Sequence, residues 1–261
     1  MTASHIRASR VGALLRLVGE ASELPAPFRR QHVLDGTGRL LGASSTVMIH
    51  AENFLPNRKS RIVDAVSSGW TDAWQRRYLS AIVAGSCNDP TVPLFVALPG
   101  QRTRRRQDLL SDRQWYSAPW VAEDLRAASL DHAIYSARPK GAPGAVEGIA
   151  VYRAWGDRSF TEEDRELLHL LHTQGAWLWR DDSTPQLTEA LRVLPRHQRD
   201  TLMWLCRGAS EKEIAAELGI SPHTVHGYVK ALHRYFGVSS RSELLAHCLG
   251  GPRSDGRDRV S

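Results

Sequence analysis

Two rhythms of apolar positions run along the first two thirds of the chain. Over residues 5–20, Ile6, Val11, Leu14, Leu15 and Val18 fall on one side of a helix. Leu24-Pro25-Ala26-Pro27 breaks it, and a second helix is predicted from Pro27 to about Leu41. Thr46–His50 and Arg61–Ser67 read as strands on either side of a loop at 52–60. Thr71 opens a helix to about Ala84, Ser86–Pro90 is a turn, and the basic run Arg102-Thr103-Arg104-Arg105-Arg106 reads as a solvated loop. Ser117–Ala128 reads as a helix. His132–Ser136 and Val146–Tyr152 read as strands that pair across the Arg138–Gly144 loop. Thr161 then caps a helix with Glu162, Glu163 and Asp164 in its first turn, and Leu167, Leu168, Leu171, Gly175 and Leu178 give it a buried side. This order predicts an α+β domain closed by a long helix.

The pattern changes after Asp181-Asp182-Ser183-Thr184-Pro185-Gln186, which reads as a linker. Beyond it only the helical period remains. Ser210 and Glu213 form a capping box, Ile214, Ala215 and Leu218 share a face, and Gly219 stands where a left-handed C-terminal residue is wanted. Ser221-Pro222 restarts a helix with Ser as N-cap and Pro at the first position. Val225, Val229, Leu232 and Phe236 make its buried stripe. The other side carries His223, Thr224, His226, Gly227, Lys230 and Arg234, a narrow polar and basic face of the kind that enters a DNA major groove.

Four stretches in order over 191–249 carry a family pattern. They are Leu194–Leu202, Gly208–Ala215, Ile220–His226 and Gly237–Leu244. The segment resembles the four-helix DNA-binding domain of LuxR (GerE, NarL/FixJ) bacterial transcriptional regulators. Gln198 stands where that family usually has Glu, and Tyr235-Phe236 where it usually has Lys-Leu, one positive charge fewer. The resemblance implies an all-α helix-turn-helix domain at 187–249, joined by the linker 181–186 to a sensory domain at 1–180 and followed by a disordered tail at 250–261. Double-stranded DNA and a second copy of the chain are the partners it implies, with RNA polymerase a further one if the protein activates. Lys230 and His226 are expected at the centre of the interface, and His223 and Gly227 share that face. Lys212, Ser221 and Thr224 flank two helix N-termini where phosphate binds well. Arg234 and Arg241 are secondary contacts. The final helix, with Leu244, Leu245 and Cys248 on its apolar side, is the implied dimer surface.

The first domain carries two weaker likenesses. Arg153–Asp164 resembles the last strand and final helix of GAF-type sensory domains, which implies a GAF/PAS-like fold. Trp74-Gln75-Arg76-Arg77-Tyr78 with Asp89-Pro90 resembles the Trp-x-x-x-Tyr…Asp-Pro pattern of acyl-homoserine-lactone-binding domains, in which Tyr and Asp help hold the ligand head. Rings are also numerous here: Trp70, Trp74 and Tyr78 fall near one helical side, and Trp115, Trp120 and Tyr135 follow. Rings at such spacing build a core. Together with Asp89 they are also the candidate lining for a small, partly apolar effector.

Composition narrows the picture only slightly. With 261 residues, 42% hydrophobic, there is room for two packed domains. The net charge of +6 suits an acidic partner but is shared: residues 183–261 hold 11 Lys+Arg against 8 Asp+Glu, and residues 1–182 hold 23 against 20. The DNA module is thus marked by motif, not by charge. Cys87, Cys206 and Cys248 lack a Cys-x-x-Cys spacing, and the last two fall on apolar helix positions as core thiols. His169 and His172, three apart on a helix, read as exposed or capping side chains, not zinc ligands. No cofactor or metal site is expected. No Gly-x-Ser-x-Gly, phosphate-binding glycine loop or His-Glu-x-x-His occurs, so no enzyme is expected. A signal-peptide core and apolar runs of membrane-spanning length are also missing, which predicts a cytoplasmic protein with no membrane contact.

Overall fold

The structure, a computed structural model, describes residues 6–24, 26–85, 88–175, 177, 190–191 and 193–249. The expected linker at 181–186 and tail at 250–261 lie outside the described residues, as does Cys87. The chain divides into two compact units: residues 1–21 with 30–179, and 22–29 with 180–261.

The first unit is organised by a five-stranded antiparallel sheet in the order β2-β1-β5-β4-β3. Its strands are β1 (Ser45–Glu52), β2 (Arg61–Ser68), β3 (Arg102–Arg105), β4 (Leu130–Pro139) and β5 (Val146–Ala154). Around them lie α1 (Ala8–Ser22), α2 (Ala26–Leu41), α3 (Ala73–Val83), α4 (Thr91–Val96), α5 (Asp112–Tyr116), a π-helical turn at Val121–Leu125 and α6 (Glu162–Gln174). Successive side chains of a strand point to opposite faces, and here each face has its own core. Met48, Ile134, Ile149 and Val151 join Leu14, Leu34, Leu41, Leu167 and Leu171 of the helices on one side. Their strand neighbours Val47, Tyr135 and Tyr152 join Trp70, Tyr78, Phe95, Trp115 and Leu125 on the other. Both faces are therefore covered, which is why β4 and β5 are buried along nearly their whole length, polar residues included.

Arg153 ties the sheet to α6. Its guanidinium donates to the carbonyl oxygens of Leu41, Gly42, Arg158 and Ser159 and reaches Asp164, and it lies over the Phe160 ring. Asp164 also closes the capping box with Thr161, so one buried carboxylate fixes both the helix start and the arginine.

Three sequence expectations need correcting. The run Arg102–Arg106 is not a solvated loop: it is edge strand β3 and the 3₁₀ turn after it. Arg102 stacks against Phe54 and Phe95 and donates to two carbonyls, while Arg106 lies over Trp115 and Tyr116 and reaches His132. Rings and carbonyl oxygens thus let charged side chains be buried, which charge counting does not reveal. The helix expected at Ser117–Ala128 is preceded by a separate one, α5, capped by Ser111 and Gln114. The helix expected from Thr71 begins at Ala73 with Asp72 as its cap, so Trp70 precedes it.

The second unit is helical, with α7 (Arg196–Cys206), α8 (Glu211–Leu218), α9 (Pro222–Phe236) and α10 (Arg241–Leu249). Leu202, Leu205, Ile214, Val225, Leu232 and Leu244 are its core, each contributing about 1.5–3 kcal/mol by leaving water. Leu244 and Cys248 are buried in this core, so the apolar side of α10 is used within its own domain and is not the exposed dimer surface the sequence suggested. Only Leu245 on that side remains half-buried. Cys206 and Cys248 are free thiols.

Candidate nucleic-acid interface and ligand cavity

The interface is assembled by caps. Ser210 Oγ accepts from the Glu213 amide, and Glu213 accepts from the Ser210 amide at 2.7 Å, which starts α8. Gly219, at φ 65° and ψ 33°, ends it in the left-handed conformation that glycine adopts without steric cost. Two residues later Ser221 Oγ accepts from the Thr224 amide at 3.0 Å and starts α9, with Pro222 at its first turn. The tight turn lets Val225, Val229 and Leu232 be buried while His223, His226, Gly227, Lys230 and Arg234 face solvent. From His223 to Arg234 that face runs about 16 Å, at ~1.5 Å of rise per residue.

The candidate DNA contacts do not all have the same freedom. Lys230 is exposed on α9, and Lys212 is exposed in the first turn of α8. The Ser221 and Thr224 hydroxyls meet at 2.8 Å within the cap. His226 Nδ1 lies 3.2 Å from Glu211, which holds the ring on the exposed face. Nothing lies within 4 Å of where a Gly227 side chain would begin, so the backbone is open there. Arg241 is turned inward and donates to the Leu205 carbonyl at 3.1 Å, serving the end of α7.

The first unit holds a cavity of about 250 Å³ on the aromatic side of its sheet. Val47, Ile49, Phe95, Gly148 and Ala150 form apolar wall. At one end is Asp89, 2% exposed. Its Oδ1 accepts from the Thr91 amide at 2.8 Å and the Thr91 hydroxyl at 2.5 Å. Its Oδ2 accepts from Tyr135 at 2.8 Å and, more loosely, from Tyr78 at 3.5 Å. Burial pushes the Asp89 carboxyl above its ordinary range, and these four donors pull it back. Burial and the neighbouring carboxylate push the Tyr135 phenol well up, so it stays a donor.

Of the ring residues marked in the sequence, Tyr78 and Tyr135 line the cavity with Asp89. Trp70 backs the wall: it stacks on Tyr78 with centroids 6.0 Å apart and donates to the Thr46 carbonyl at 2.8 Å. Trp120 packs on the Tyr78 ring at 5.8 Å. Trp115 is buried elsewhere, donating to Asp131 beneath Arg106. Trp74 is 50% exposed with Arg77 over its ring, so it does not share a buried side with Trp70 and Tyr78. Sequence reasoning missed Tyr152, Phe54, Arg58 and Lys59 in the lining. Tyr152 was legible as an inward position of β5, but the loop 52–60 carried no periodic signal.

His169 and His172 are not exposed or capping. Ser136 Oγ meets His172 Nδ1 at 2.7 Å and Thr103 Oγ1 at 2.8 Å, and Thr103 meets His169 at 3.0 Å. Burial lowers His172 to about 3, which leaves it too weak a base to activate the serine; the chain of polar groups instead ties β3 and β4 to α6. Among the described residues no three His, Cys, Asp or Glu side chains are grouped to hold a metal, and no helix is long and apolar enough to cross a membrane.

Comparison with known proteins finds relatives of the second unit. The family "Bacterial regulatory proteins, luxR family" matches residues 192–248. The transcriptional regulatory protein UhpA of Escherichia coli K12 is 34% identical over 84 residues, 32% of this chain and 43% of UhpA. The probable HTH-type transcriptional regulator GfsR of Streptomyces halstedii is 35% identical over 71 residues, 27% of each chain. The chain thus spans less than half the length of these relatives. Solved structures of SdiA in complex with octanoyl-rac-glycerol (15% identity, 95% of this chain and 96% of that one, TM-score 0.42) and of the N-acylhomoserine lactone dependent factor CepR2 of Burkholderia cenocepacia (14%, 66% and 96%, TM-score 0.44) resemble it loosely. With its capped helix-turn-helix and its match over 192–248, the C-terminal domain belongs to the luxR family of bacterial regulatory proteins.

Proposed function

We propose that the protein is a cytoplasmic transcriptional regulator whose first domain binds a small effector and thereby sets the affinity of the second for promoter DNA. The observation that carries it is the exposed face of α9, which presents Lys230, His226 and Arg234 opposite the buried Val225, Val229 and Leu232. That face enters the major groove, Lys230 and His226 contact bases or phosphates, and Lys212, Ser221 and Thr224 contact phosphates at the two helix starts. The protein acts as a homodimer on half-sites about one helical turn apart, and meets RNA polymerase where it activates. The first domain, residues 1–180, is a GAF-like sensor, a reading supported by strand β5 leading into capped helix α6.

Selection of binding sequences from a random duplex pool by the full chain tests this. We expect enrichment of paired half-sites, and Lys230→Ala should weaken binding and lower the slope of log affinity against log salt by about 1. Lack of enrichment, or an unchanged affinity in Lys230→Ala at physiological salt, would count against the assignment.

A second reading, an acyl-homoserine-lactone receptor, is favoured by one observation: the buried Tyr78 and Asp89 meet in the lining of the cavity. N-octanoyl homoserine lactone should then shift DNA affinity, and no shift would remove that reading.

A further inference from the structure

The cavity is polar at both ends and apolar between them. Strand register sets its direction. Tyr152 and Tyr135, which stand beside Asp89 and Tyr78, lie at one end of the lining, and Tyr135 is paired with Ala150. Val146, at the other end, is paired with Ala51, where β1 runs out into the loop that carries Arg58, Lys59 and Ser60. Val146 and Tyr152 are six steps apart along β5, about 20 Å between Cα atoms at ~3.3 Å per residue. Between the ends Gly148 leaves the floor low: an added side-chain carbon would stand 3.1 Å from Ile49.

The loop end is positively charged and has no counter-charge of its own. Among the described residues, the side chains of Arg58 and Lys59 make no hydrogen bond or ion pair, although both line the cavity. The carboxylates at nearby strand ends are engaged elsewhere, Glu52 by Arg61 and Glu147 by Arg138 and Lys140. At the other end the weakest bond to Asp89 is the 3.5 Å one from Tyr78, which leaves Oδ2 able to accept from a ligand.

We infer that the cavity takes an elongated amphipathic monoanion, whose O–H or N–H end donates to Asp89 and whose carboxylate is met by Arg58 and Lys59. This rests on the cavity being an effector site. Both cations are exposed, so their contribution is screened by salt and acts with charge-assisted hydrogen bonds at close range.

Trp70 against Tyr78 gives the full chain a fluorescence readout. The probes are 10-hydroxydecanoate, its methyl ester, and N-octanoyl homoserine lactone. We expect the acid to bind about tenfold tighter than the ester at low salt, the effect of a single charge-assisted hydrogen bond. That preference should shrink in ~0.5 M salt and vanish in the Arg58→Ala/Lys59→Ala variant. Equal binding of acid and ester, or a preference that survives the double substitution, overturns the monoanion while the effector site stands. Failure of all three probes to bind overturns both.

Discussion

At the scale of single residues, burial decides which groups can change state. Folded His172 stays neutral down to about pH 3, because burial opposes its charge and Arg138 and His169 add to that opposition. Unfolded, a histidine charges near 6.5. As pH falls the unfolded chain takes up this proton first, so stability is lost between about pH 6.5 and pH 3. At pH 5 the loss from this residue is about 2 kcal/mol, measurable as a lower urea midpoint of the first domain's transition. His172→Gln should flatten that dependence; an equally steep profile in the variant would assign it to other groups. Tyr135→Phe removes the 2.8 Å bond to Asp89 and should cost about 1 kcal/mol, with a larger loss showing that the carboxylate relies on it more than a typical bond.

At the scale of elements, the second domain was legible and the first only in part, for a physical reason. The start of α8 and the whole of α9 are fixed by local chemistry: Ser210 with Glu213, Gly219, Ser221 with Pro222, then one apolar stripe. Each signal lies within a few residues of what it controls. We expect Gly219→Ala to destabilise this domain by about 1 kcal/mol, since a side chain in the left-handed region is strained, and Leu232→Ala by about 2–5 kcal/mol through a core cavity. Thermal melts that order these two the other way would contradict the packing described. The strands β1, β4 and β5 were readable because β-branched and aromatic residues cluster there. Strand β3 was not. Arg102 within it and Arg106 just after it look like solvent-facing residues until Phe54 and Phe95 are brought against the first and Trp115 and Tyr116 against the second. Trp70 and Trp74 show the same limit, for a helix start shifted by two residues put one inside the core and the other in water.

At the scale of the whole molecule, a shared equilibrium makes a stronger prediction than either site alone. If the effector changes DNA affinity by some factor, typically ~5–150-fold, DNA must change effector affinity by the same factor. Titrating each ligand in the presence and absence of the other checks this, and unequal factors would mean that one of them also binds elsewhere. The alternation of β5 has a consequence for how such a protein diversifies. Gly148, Ala150 and Tyr152 line the cavity, while Val151 is buried in the opposite core and Ile149, a member of that core, also borders the cavity. Inserting or deleting one residue in the strand would exchange the two sets and wreck both at once. If the cavity is an effector site as proposed, specificity would change by substitution at every second position of β5, and changes in length would be tolerated in the hairpins at 53–60 and 140–145, outside the paired strands.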